Sequence, residues 1–427
     1  MMRSFELLVC ALAMSAAPEA QTPPSRSLAS SPSAAADSLP PASAPAPLLI
    51  PGRPNPVDPE AVDAKLQARQ EFQTALGFEA RSPAIAMVTY RKVLRLDPQF
   101  REANYRIGLL FNTRAQWTEA AKAFAAEVTM YPDHVDAARE LGVALARGGD
   151  HARANQQLEM LARRRPKDGL VWHALGFAYL QARRPREAED ALRKAIRLPP
   201  EDPEEHRDLG ALLASLGRDR EGREEYRRAL ALAPQNSSTW LNLGNLERRA
   251  GRRDSALACY RRAARSDSDF TLAYQGQVQV LNELQLPEQA LEVYRRWLAR
   301  KPEEHGARLE AFQLLLAMKR LDEALALGRE GVEVSPTSGA PHVVYAMGLA
   351  SQGHLREALQ HLREAQRYFG NQREDVDRVE KMVTALRAAA PDSLRTHFHR
   401  DSVERAGVVA GAAVRVRVDT TRVRPPR

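Results

Sequence analysis

Gly169-Leu-Val-Trp172-His-Ala-Leu175-Gly176-Phe-Ala-Tyr179-Leu-Gln-Ala-Arg183-Arg184-Pro185-Arg-Glu-Ala188-Glu-Asp-Ala-Leu192-Arg-Lys-Ala195-Ile-Arg-Leu-Pro-Pro200-Glu-Asp202 is one period of this chain. Trp172, Leu175, Gly176 and Tyr179 fall three to four residues apart, the spacing of one helix face, and Ala188, Leu192 and Ala195 repeat that spacing in the second half. Arg183, Arg184 and Pro185 form the turn between them. Pro200 ends the second helix because it has no amide hydrogen to donate. Asp202 then offers a capping carboxylate, with Pro203 at the first helical position. The segment therefore reads as a helical hairpin with one apolar face on each helix. Gly176 and Ala188 are small where two helix backbones are expected to approach closely.

Outward from this segment the pattern recurs every 34 residues without insertion. One ladder runs Pro98, Pro132, Pro166, Pro200, Pro234, Ser268, Pro302, Pro336 and Gly370. A second runs Ala86, Ala120, Ala154, Ala188, Gly222, Ala256, Ala290, Ala324 and Ala358. A period of this length belongs to stacked helix pairs, in which each pair buries its apolar face on its neighbours. Gly217, Gly251 and Gly353 stand at equivalent places, where the first helix of a pair must end in a left-handed residue.

The set Trp172, Leu175, Gly176, Tyr179, Ala188, Leu192, Ala195 and Pro200 resembles the full tetratricopeptide repeat signature. Trp240, Leu243, Gly244, Ala256, Tyr260 and Ala263 repeat it, and the units at Gly108–Pro132, Leu141–Pro166 and Leu209–Pro234 match it in part. The unit with Phe312 and Gly328 inverts the usual order of small and aromatic residues. The resemblance implies an all-α fold: a right-handed superhelical solenoid of about nine 34-residue helix-turn-helix repeats. Val376, Val379, Met382, Val383 and Leu386 continue the helical spacing beyond the last repeat and read as a C-terminal capping helix.

The organisation expected is a signal peptide over 1–20, a disordered Pro/Ala/Ser-rich linker over 21–57, the solenoid over 58–372, the capping helix over 373–390 and a basic, disordered tail over 391–427. Residues 1–20 carry one arginine, then a short apolar run and small residues before Gln21. That pattern predicts export to the periplasm or an envelope location. Val9 is bulkier than the residue expected before a lipidated cysteine, which disfavours lipid attachment at Cys10. The linker has too little apolar bulk to offset its ordering entropy. The tail alternates Val414-Arg415-Val416-Arg417-Val418, a strand-like period without any other strand to pair with.

The sequence contains no nucleophile elbow, phosphate-binding Gly-Lys-Ser loop or His-Glu-x-x-His motif, and its two cysteines form no CxxC pair. The expectation is a non-catalytic protein without cofactor or metal, with Cys259 as a packed helix thiol. The net charge of +8 is carried mostly by arginine, but acids are interleaved throughout. Nucleic acid is therefore disfavoured as a partner, particularly for an exported chain.

In the resembling family the first helices line a concave groove. Carried onto this chain, the groove positions are Asn242, Asn245, Arg249, Gln275, Gln279 and Asn282, with Arg106, Asn112, Arg139 and Arg207 on the same side of earlier units. Side-chain amides donate and accept at once, which suits an extended peptide backbone. The family's carboxylate-gripping pattern of two lysines and two asparagines is not reproduced. The resulting expectation is a scaffold that binds an extended peptide or partner protein in the bacterial cell envelope. The alternative is an accessory for polysaccharide or lipid export, using arginines to contact anionic polysaccharide or lipid head groups.

Overall fold

The computed structural model describes residues 59–370 and 372–389. The signal-like segment, the linker and the basic tail lie outside the described residues, as does Asp58. Among the described residues there are 19 helices and no strand. They form nine successive pairs: Pro59–Phe78 with Pro83–Leu96, Ala103–Asn112 with Trp117–Met130, Val135–Arg147 with His151–Arg164, Gly169–Gln181 with Pro185–Ala195, Pro203–Ser215 with Asp219–Leu232, Ser237–Arg249 with Arg253–Ser266, Thr271–Glu283 with Pro287–Arg300, His305–Ala317 with Leu321–Val334, and Gly339–Ser351 with Leu355–Phe369. Below, these are repeats one to nine. A last helix, Arg373–Ala389, follows them.

The described residues divide into two compact units, 59–246 and 247–389. Within the first, Phe124, Leu158 and Leu192 are fully buried among Ala120, Ala154 and Ala188. Within the second, Leu359 and Leu362 of repeat nine pack with Val379, Val383 and Leu386 of the last helix, as the capping role requires. The expected alanine ladder is the buried spine: Ala86, Ala120, Ala154, Ala188, Ala256, Ala290, Ala324 and Ala358 have no exposed surface.

The small residues of the first helices have a more particular cause than backbone contact alone. A Cβ on Gly176 would stand 2.7 Å from Leu192 Cγ, and one on Gly142 would stand 2.4 Å from Leu158 Cγ. The glycine thus makes room chiefly for the large side chain sixteen residues later. Direct backbone approach occurs in repeat five, where a Cβ on Gly222 would lie 2.9 Å from the Gly210 carbonyl oxygen. Repeat eight reverses the sizes: Phe312 is fully buried and Gly328 takes the later position.

Two further devices recur with the period. The turn inside repeats two to nine contains a residue with positive φ at 115, 149, 183, 217, 251, 285, 319 and 353. Four of these are glycines, but Ala115, Arg183, Gln285 and Lys319 hold the same left-handed conformation with a side chain. The second device clamps the turn between repeats. Trp172 Nε1 donates to the Pro166 carbonyl (3.0 Å), Trp240 Nε1 to Pro234 (2.8 Å), Tyr274 Oη to Ser268 (3.0 Å), Arg308 Nη2 to Pro302 (2.9 Å) and His342 Nε2 to Pro336 (3.0 Å). Four chemically different residue types thus serve one purpose, since each carries a donor to a carbonyl six residues back.

Candidate functional site

The first helices of repeats three, four and five, Val135–Arg147, Gly169–Gln181 and Pro203–Ser215, line a groove of about 510 Å³ within unit 59–246. Local sequence sets these helices. Asp168 accepts the Val171 amide hydrogen at 3.3 Å, and Asp202 accepts that of Glu204 at 2.8 Å ahead of Pro203. The expected cap at Asp202 is thus present. Because the buried faces are occupied by Leu175 and Leu209, the neighbouring positions His173, Phe177, Arg207 and Asp208 are turned to the groove.

Of the sequence-predicted residues, Arg139 and Arg207 line this groove. Both are tied down by acids. Arg139 bonds Asp136 (2.8 Å) and Glu140 (3.3 Å), while Arg207 bonds Glu204 (3.0 Å) and Asp208 (2.9 Å). Asn112 in repeat two reaches Glu140 in repeat three at 3.4 Å. Arg106 lies near Glu79 (3.6 Å) and Glu102 (3.8 Å). Asn112 and Arg139 thus share Glu140, whereas Arg106 and Arg207 each pair with separate acids.

His173 and Asp208 were not among the sequence candidates, yet they join repeats four and five through a 2.9 Å contact between Nε2 and Oδ2. Burial alone would disfavour the imidazolium, but the bond to Asp208 and its charge outweigh burial and raise the His173 pKa. Burial likewise opposes ionisation of Asp208, and His173 and Arg207 reverse the balance and lower its pKa. The signal in the sequence was positional: Arg139, His173 and Arg207 occupy one place in successive periods.

Arg147 was also missed. Its guanidinium Cζ lies 4.9 Å from the Trp117 ring centroid and 5.4 Å from that of Phe177. Phe177 and Leu170 add apolar surface to the same groove. A second cavity of this unit, about 520 Å³, is lined by Arg193, Arg197, His206, Glu225 and Arg228. There His206 Nδ1 and Glu225 Oε2 meet at 2.7 Å.

Asn242 and Asn245 also belong to unit 59–246, on helix Ser237–Arg249; Asn242 is half-buried and Asn245 exposed. The unit boundary falls inside that helix, so Arg249 belongs to the second unit. In that unit Gln275, Gln279 and Asn282 are all exposed on one face of Thr271–Glu283. The amide row expected on repeat seven is therefore presented to solvent.

Several arginines of the second helices and turns meet carboxylates. Arg193 and Arg218 share Glu189 and Glu221, and Arg295 and Arg320 share Glu323. This surface alternates in sign. Among the described residues no group of three or more His, Cys, Asp or Glu side chains is placed to hold a metal ion. No described helix is long and apolar enough to cross a membrane.

The sequence profile of the tetratricopeptide repeat matches residues 108–169, 173–237 and 241–305. No curated protein matches the chain. Among solved structures, the chain is similar to Pseudomonas aeruginosa pilF, with 21% identity, 51% of this chain and 99% of that chain covered, and a TM-score of 0.41. It is similar to TTC0263, a thermophilic protein of the same repeat class in Thermus thermophilus, with 21% identity, coverage of 42% and 98%, and a TM-score of 0.37. It is also similar to MamA from Desulfovibrio magneticus RS-1, with 22% identity, coverage of 41% and 97%, and a TM-score of 0.36.

Proposed function

Since this chain belongs to the tetratricopeptide repeat family, whose members are scaffolds for protein or peptide partners, we propose that it is a non-catalytic scaffold of the bacterial cell envelope that binds an extended peptide along its first helices. The observation that carries this reading is the groove of about 510 Å³ lined by three consecutive first helices, with apolar Leu170 and Phe177 beside polar His173, Arg139 and Arg207. An extended chain needs both kinds of contact: apolar pockets for alternate side chains and polar groups for the backbone between them. The exposed amides Gln275, Gln279 and Asn282 offer the second unit the same polar chemistry. The leader-like residues 1–20 support the envelope placement.

The test is site-specific photo-crosslinking in envelope extracts, with the crosslinker at Gln181 in the groove or at Gln289 on a second helix. A partner captured from position 181 and not from 289 is the expected result. Capture from 289 alone would overturn the groove reading. Changing Asn242 and Asn245 to Ala is expected to weaken capture by about 0.5–1.5 kcal/mol per lost hydrogen bond.

A further inference from the structure

Two of the three groove arginines are already neutralised: Arg139 by Asp136 and Glu140, Arg207 by Glu204 and Asp208. Arg147 differs. Among the described residues it makes no ion pair, and its side chain is exposed at the groove. It is held instead by two aromatic rings, Trp117 from the second helix of repeat two at 4.9 Å and Phe177 from the first helix of repeat four at 5.4 Å. Ring contact engages the faces of a guanidinium and leaves its N–H edge available for a planar acceptor. It also restricts the side chain in advance, so less rotamer entropy is lost when a ligand binds.

We propose that Arg147 is a carboxylate subsite of the groove, so that the bound peptide carries an acidic side chain next to an apolar one. The inference rests on the peptide-groove reading above and adds its chemical selectivity. The charge complementarity is local: the lining's own carboxylates, Glu140, Asp202, Glu204 and Asp208, are engaged by Arg139, Arg207, His173 and a backbone amide, so Arg147 is the groove cation left for a ligand anion. Phe177 and Leu170 supply the adjoining apolar contact, and both line the same cavity. The device is distinct from a chain-terminus clamp built of lysines and asparagines, which the sequence lacks.

The probes are three end-blocked, fluorescein-labelled dodecapeptides alternating leucine with aspartate, asparagine or lysine, read by anisotropy on the full chain. The aspartate peptide is expected to bind about ten- to a hundredfold more tightly than the asparagine peptide, the range of one charge-assisted hydrogen-bonded contact. Arg147→Ala should remove that difference, with far-ultraviolet circular dichroism unchanged because the residue is exposed. Arg147→Lys should recover part of it, since the charge remains and the planar fork is lost. If aspartate and asparagine peptides bind alike, and both are lost in Leu170→Asp, the groove reading stands and the carboxylate subsite is wrong. If no peptide binds, or Leu170→Asp changes nothing, the groove reading fails and the subsite with it. Binding only when the carboxyl terminus is left free would also overturn the proposal, because it would assign Arg147 to a chain end.

Discussion

Glu205 is 1% exposed, and its Oε2 has no hydrogen-bond partner. The same place in other repeats holds Ala103, Ala137, Val171, Thr239, Ala273 and Ala307, all buried. Repeat five thus puts a carboxyl where its relatives put a small side chain. Burial raises the Glu205 pKa from its ordinary 4.5 to about 7; nearby His173 and His206 pull it down and Asp202 pushes it up, without cancelling burial. The pKa is higher in the folded state than in the unfolded one, so the neutral acid is the form the fold prefers. The part of the stability that depends on Glu205 is highest below about pH 4.5, falls as pH rises towards 7 and levels off above it. The gap corresponds to about 3 kcal/mol at 1.36 kcal/mol per pH unit. A negative charge in the first turn of helix Pro203–Ser215 returns about 0.3–1 kcal/mol through the helix dipole. Burial wins, and a net cost of about 2 kcal/mol remains in alkaline solution.

Glu205→Ala should therefore slow amide hydrogen exchange in residues 203–215 at pH 8 and leave it nearly unchanged at pH 4.5. Exchange is the suitable assay because long repeat arrays open locally, so a single global melting point would blur the effect. Glu205→Gln should follow the same trend with a smaller gain, since the amide is still buried with polar atoms to satisfy. A difference between Ala variant and parent that is the same at both pH values would refute the reasoning. So would a loss of protection at pH 8.

Lys319→Gly and Gln285→Gly should each stabilise the chain by roughly 1 kcal/mol in urea unfolding, because both positions hold positive φ, whereas Gly217→Ala should cost about as much. Ala188→Leu should destabilise helix Pro185–Ala195 by roughly 1–3 kcal/mol, read by its amide hydrogen exchange, since Ala188 has no exposed surface. Mass spectrometry of the mature protein should find a new amino terminus near Gln21; an intact Met1 would sink the envelope assignment.

Much of the fold was legible because a repeat array buries its core between residues close in sequence. Gly176 and Leu192, or Ala188 and its neighbours, meet within one hairpin, so helical spacing alone located the packed faces, although it read Gly176 as a place of backbone approach and not as room for Leu192. Asp202 announced its cap, and Gly217, Gly251 and Gly353 their left-handed turns, by residue type alone. The left-handed Arg183, Gln285 and Lys319 carry no such mark; the period could have located them, but their side chains do not.

The groove was read only in outline. Periodicity placed Arg139 and Arg207 on the first-helix face that lines this cavity, since position around a helix follows from counting. It did not say that both would be held by carboxylates, that His173 would meet Asp208 from the next repeat, or that Arg147 would lie over rings from repeats two and four. Those contacts depend on how far each repeat is rotated against the next and on which rotamers the neighbours leave open. Sequence alone determined nine successive helix pairs, because apolar period and turn residues are local and additive. Which polar groups are paired, which are buried and which face a ligand was decided by tertiary structure, because charge and hydrogen bonding act between side chains that the chain brings together only after the repeats have stacked.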